Sequence, residues 1–169
     1  MNTFLNAMTF PDKTVYPVSS RIEQDYLNLA QVYLDAVFAP KAMEHEKIFL
    51  QEGWRHELEG EGLSYNGVVF NEMKGAYSSV DSVVWDAIDR QLFPDTCYGF
   101  SSGGDPEAIP DLTYEKFIES HKRFYHPSNS YIFVYGDFDV EERLAFMDEN
   151  YLSAFDKIEP NSDITSQPH

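Results

Sequence analysis

Only three stretches of this chain carry a strand pattern, and three strands bury too little to hold a sheet by themselves. Phe4 to Phe10 and Thr14 to Val18 predict a β-hairpin turned at Pro11-Asp12-Lys13, with Pro17 keeping the second strand short or exposed. Ser130 to Tyr135 (SYIFVY), a run of aromatic and branched residues, predicts the third strand. Helical signals fill the remainder. Ser20-x-x-Glu23 predicts a capping box, followed by a stripe of Tyr26, Leu29, Ala30, Tyr33, Leu34 and Val37 that Pro40 stops. Glu44 to Gln51 predicts a second helix ended at Gly53, and Glu57 to Gly62 a polar turn. Leu63 to Met73 is open between strand and helix, with helices expected over Val68–Tyr77 and Val83–Phe93. Beyond a Gly/Pro loop at 99–110, Thr113 caps a helix striped by Phe117, Ile118, His121, Phe124 and Tyr125 and ended at His126-Pro127. Asp139-x-x-Glu142 opens another, with Leu144, Met147 and Tyr151 expected to face inward. The pattern is that of part of a larger α+β unit, helices packed on a small, mostly antiparallel sheet.

Composition narrows the function classes. At 169 residues with 43% hydrophobic and 15% aromatic side chains, the chain can stock a core, which excludes global disorder. A net charge of −17 argues against a nucleic-acid partner or an anionic membrane surface, since both require a basic footprint. No run approaches the 18 apolar residues of a membrane span. Cys97 stands alone, so neither an internal disulfide nor a Cys-rich metal site is available. Net −7 of the charge falls in residues 135–169. Residues 1–155 are expected to form the α+β unit and 156–169 an acidic linker or disordered tail.

Most candidate chemistry dissolves on inspection. No two histidines stand four apart, so no H-E-x-x-H or H-x-x-E-H occurs, and no G-x-S-x-G elbow is present. His121 and His126 read as a stripe residue and a helix-end residue. Ser101 to Pro106 (SSGGDP) lacks the lysine of a phosphate cradle, and Asp105 would repel phosphate, which leaves a backbone-defined loop. Glu72 is the unusual acid. On a helix its facing neighbours are Val68, Val69, Gly75 and Ala76, none of them a cation, while Lys74 points elsewhere. That setting suits a metal-ligating carboxylate with room beside it; a capped or partly exposed structural Glu is the plainer alternative.

Six words then occur in order: Leu5 to Tyr16 (LNAMTFPDKTVY), Val32 to Phe38 (VYLDAVF), Gln51 to Leu58 (QEGWRHEL), Gly67 to Gly75 (GVVFNEMKG), Ser102 to Pro106 (SGGDP) and Tyr125 to Asn129 (YHPSN). Together, over about residues 2–155, they resemble the presequence-protease branch of the pitrilysin/insulinase zinc metallopeptidases. The resemblance implies an incomplete portion of a mitochondrial-processing-peptidase-like catalytic domain, from a two-halved enzyme that encloses peptides in a chamber. It implies one zinc ion in the intact enzyme, held by two His of an inverted H-x-x-E-H helix and by a downstream Glu that maps onto Glu72. An acid that related branches carry seven residues earlier is Tyr65 here. Asn6-Ala7 maps onto an edge strand that pairs with bound peptide, and these two residues are the expected substrate-binding pair; a hairpin that merely completes the sheet is the alternative.

The H-x-x-E-H helix is not among these residues, so it is expected upstream, with the general base on it. No catalytic residue is therefore expected in this segment, and the isolated chain is expected to hold no zinc and to be inactive. In the intact protein the resemblance implies hydrolysis by a zinc-bound water. An acidic chamber wall would favour basic, unfolded peptides. The expected partners are peptide substrates and the remaining domains of its own chain, with self-association of the fragment through exposed apolar sheet. A non-catalytic paralogue acting as chamber wall or scaffold is the rival function. The lone cysteine fits a reducing compartment, the bacterial cytoplasm before an organellar matrix.

Overall fold

The computed structural model describes residues 3–168, so His169, the last residue of the expected tail, lies outside them. A single hairpin register runs from Phe4 to Ser19. Strands β1 (Phe4–Leu5) and β4 (Val18–Ser19) pair Phe4 with Ser19, and β2 (Met8–Thr9) and β3 (Thr14–Val15) pair Met8 with Val15. Pro17 splits the ladder in two. Asn6 donates its N–H to the Pro17 carbonyl at 3.1 Å, and proline has no N–H to return. The turn closes where Phe10 N–H meets the Lys13 carbonyl at 2.7 Å.

Helix α1 (Glu23–Phe38) follows, ended ahead of Pro40 as its sequence predicts. Its expected capping box does not form: Ile22 takes the cap position, and Ser20 Oγ accepts instead from Ile22 N–H at 3.1 Å. Short α2 (Glu46–Glu52) ends on Gly53. The supposed polar turn at 57–62 is largely strand. β5 (Arg55–Glu59) and β6 (Gly62–Asn66) form a second hairpin, with Gly60 at φ 63° making the two-residue turn that other side chains resist. The ambiguity over 63–73 resolves as strand to Asn66, then helix α3 (Val68–Ala76). α4 (Val80–Leu92), α5 (Tyr114–Phe124) and α6 (Val140–Asn150) complete the α+β set. Thr113 Oγ1 accepts from Lys116 N–H, and Asp139 Oδ1 from Glu141 and Glu142 N–H, so these two caps form as their sequences predict.

Burial is thin. Phe49, Phe70, Ile109, Met147 and Tyr151 are the buried apolar side chains, and none of the described side chains is fully enclosed. Phe49 packs on Phe117 and Tyr114, joining α2 to α5. Tyr151 donates to Asp35 at 2.9 Å and to the Gln31 carbonyl at 3.1 Å, joining the end of α6 to α1. Leu144, expected inside, is 57% exposed; buried Arg143 takes its place, paired with Glu23 and lying over Phe138. The accessible area is 12683 Å², against about 8,500 Å² for a folded monomer of this mass.

Ser130–Tyr135 shows what that excess contains. The run pairs with no strand among the described residues, so it is not a β-strand here. Tyr131, Phe133 and Tyr135 project into solvent at 105%, 88% and 88% exposure. A strand exists only with a partner for its backbone, however strong its propensity.

Residues 156–168 are mostly exposed yet bonded back along the molecule. Arg123 donates twice to the Asn161 carbonyl, Ile158 N–H donates to Ser128 Oγ, and Gln167 exchanges two hydrogen bonds with Asp95.

Candidate functional site

Glu72 lies on α3, and the local sequence fixes that helix at its first turn. Gly67, at φ 155° and ψ 153°, lets the backbone press against the Gly53 carbonyl, where a Cβ would overlap. Phe70 N–H donates to that same carbonyl at 3.2 Å, and the Phe70 ring is buried against Tyr65. Asn66 Oδ1 accepts from Gly67 N–H at 2.8 Å and from Asn71 Nδ2 at 2.7 Å. Asn66 Nδ2 in turn donates to Glu57, which also receives Arg55, both at 2.6 Å. Hairpin β5–β6 is therefore tied to the residue immediately before Glu72.

The Glu72 side chain is exposed, and no hydrogen bond or ion pair engages it among the described residues. Its neighbours Val68 and Val69 are also open, at 54% and 39%. The desolvation cost that makes Glu72 odd in sequence is therefore not incurred on this surface. The chemistry of this carboxylate suits one oxygen position of a zinc shell. Among the described residues, no group of three or more His, Cys, Asp or Glu could hold a metal ion. A lone carboxylate stands here, not a metal site.

Tyr65, where a second acid would stand in related branches, belongs to an aromatic platform. It packs against Trp54, His56 and Phe70 at centroid distances of 5.8, 5.2 and 5.8 Å. Its role is to seat α3 on the hairpin.

Asn6 and Ala7 lie at the Pro17 break, both exposed. Backbone groups alternate in direction along a strand, so Asn6 faces Pro17 and Ala7 faces the open edge. There the Asn6 side chain turns back, its Oδ1 accepting the Ala7 N–H at 2.9 Å.

His121 and His126 serve structure. His121 Nε2 meets the Val37 carbonyl at 2.9 Å with its ring stacked on Tyr125, and His126 Nδ1 accepts from Ser128 N–H. A hollow of about 480 Å³ between His126–Ser128 and Phe155–Pro160 has no lining residue from α3.

Sequence reasoning missed the surroundings of Asp105. Arg90, on α4, donates to Asp86 at 2.8 Å and to Asp105 at 2.9 Å. Asp105 also accepts the Glu107 N–H at 2.9 Å; that bond and the Arg90 guanidinium hold its carboxyl below the usual range. The SGGDP word marks the loop, but nothing in sequence pairs it with Arg90.

A family model described as "Peptidase M16 inactive domain" matches residues 111–169. Protein HypA of Clostridium perfringens is 58% identical over 169 residues, covering 99% of this chain and 17% of that protein. Presequence protease 1, chloroplastic/mitochondrial, of Arabidopsis thaliana is 50% identical, covering 96% and 15% respectively. The mitochondrial presequence protease of Mus musculus is 43% identical, covering 100% and 17%. The chain belongs to the peptidase M16 family, alongside proteins named presequence protease. It spans 15–17% of the length of these relatives, and its α+β elements form part of an M16 domain.

Proposed function

We propose that this chain is one part of a zinc-dependent metalloendopeptidase that degrades unfolded, presequence-like peptides. Its contribution is one zinc ligand, Glu72, and one peptide-pairing edge at Asn6 and Ala7. The observation that carries this reading is a bare, exposed carboxylate on a helix fixed at its first turn. Zinc, when bound in the intact protein, would polarise the scissile carbonyl and acidify a water. No step is assigned to the segment by itself, because a single carboxylate does not make a shell of three protein ligands. At the edge, an incoming strand would displace the Asn6 side chain from the Ala7 N–H, exchanging one hydrogen bond for another. Residues 1–155 then form the later part of the catalytic domain and 156–169 the acidic linker beyond it. We place the parent protein in the bacterial cytoplasm; the 58% identity to a Clostridium protein, against 43–50% to the organelle-named relatives, supports this.

A second reading, a non-catalytic domain serving as chamber wall or scaffold, draws on the inactive-domain description of the model matched at 111–169. The test uses the full-length protein that carries this segment, a fluorogenic peptide and a chelator. Cleavage that the chelator abolishes and that Glu72→Gln reduces at least about 100-fold is the expected result. No cleavage, with the chelator without effect, gives the scaffold reading. Tight stoichiometric zinc on the isolated 169-residue chain would overturn the fragment reading.

A further inference from the structure

The loop that sequence alone left without a role reaches α3 directly at Met73 and indirectly through α4. Gly103 sits so close to Met73, the residue after Glu72, that a Cβ there would overlap the Met73 sulfur. Gly104, at φ 95°, turns the loop, and buried Ile109 pegs it, its N–H bonded to the Asp105 carbonyl at 2.9 Å. Arg90 bridges Asp105 of that loop to Asp86 of its own helix. Asp86 closes the circuit, accepting at 2.8 Å from the hydroxyl of Tyr77, the residue that caps the C-terminus of α3.

We propose that Arg90 and Gly103 are positioning residues for Glu72: the Arg90–Asp105 bridge holds the 101–106 loop so that Gly103 bears on Met73 and fixes the roll of α3. This rests on the Glu72 reading above. The magnitudes explain why roll matters. A carboxylate about 6 Å off a helix axis moves about 2 Å when the helix rolls about 20°, whereas a zinc ligand tolerates about 0.2 Å. The Asn66–Asn71 and Gly67–Gly53 contacts hold only the N-terminal turn of a nine-residue helix. The loop supplies the mid-helix contact. Outer groups that orient a metal ligand are worth about 10–100-fold in metal affinity.

The experiment measures zinc retention of the full-length protein by chelator competition, with thermal melting alongside. Glu72→Gln sets the reference. Arg90→Ala and Gly103→Ala are expected to speed zinc loss about tenfold. Arg90→Lys, which keeps one of the two bridges, should fall between. Met73→Ala, which removes the side chain that Gly103 bears on, should speed zinc loss as Gly103→Ala does, and the two combined should cost little more than either alone, which two independent packing defects would not show. Arg123→Ala, an exposed arginine on α5, should leave zinc retention unchanged. If Glu72→Gln speeds zinc loss while Arg90→Ala and Gly103→Ala do not, the positioning role is overturned and the ligand reading stands. If Glu72→Gln changes nothing, the ligand reading fails, and this inference with it.

Discussion

The hydroxyls of Tyr16 and Tyr125 meet at 2.9 Å, joining the N-terminal hairpin to the end of α5 across 109 residues of sequence. Burial and that shared hydrogen bond push the Tyr16 pKa up. The pair is one polar tie between the proposed peptide edge and the helices, beside Thr3 to Asp25 at 2.8 Å and Tyr98 to Asp12 at 3.1 Å. Tyr16→Phe leaves the Tyr125 hydroxyl without its partner in a half-buried place. The expected cost is about 1 kcal/mol, seen as a lower urea midpoint with an unchanged m-value.

His121 gives the fold an acid-sensitive point. Burial holds its pKa below the usual imidazole range, against the pull of the Val37 carbonyl. The folded state thus favours the neutral ring. Its stabilising contribution is complete above the unfolded value of about 6.5 and declines as pH falls through that value toward the depressed folded one. His121→Gln should flatten the loss of stability between pH 7 and pH 5, measured by denaturant melts at each pH. An unchanged acid limb would assign that loss to other groups.

Gly67→Ala should do more damage than any single loss of a surface ion pair. The backbone there lies in a region other residues avoid, and a Cβ would strike the Gly53 carbonyl. The expected cost is at least about 2 kcal/mol. Amide exchange of α3 and of hairpin β5–β6 should rise together, because Asn66 and Phe70 tie the two.

The open 130–135 run predicts self-association of the isolated chain. Antiparallel pairing of two copies about Phe133 would set Tyr131 opposite Tyr135 and Ile132 opposite Val134, burying aromatic against aromatic. With −17 on each chain, association should strengthen as salt screens the repulsion. Phe133→Lys should shift sedimentation toward monomer, while Leu58→Lys, at a comparably exposed site on the β5–β6 hairpin, should not.

Sequence by itself determined the elements whose cause is local. Pro17 breaks the hairpin because proline lacks an N–H, Thr113 and Asp139 cap because their side-chain oxygens reach amides two or three residues on, and Gly53 and Pro40 end helices. It also singled out Glu72, since helical spacing alone shows a carboxylate without a facing cation. Tertiary structure decided whatever depends on a distant partner. SYIFVY has every local mark of a strand and is not one here, because a ladder needs a second backbone and none of the described residues supplies it. Leu144 stays outside while Arg143 is buried, because Glu23, 120 positions away, offers the charge that makes burial tolerable. The SGGDP loop gained its meaning the same way. Its glycines promise a tight turn, but only the fold puts Gly103 against Met73, the residue after Glu72, and Arg90 beside Asp105.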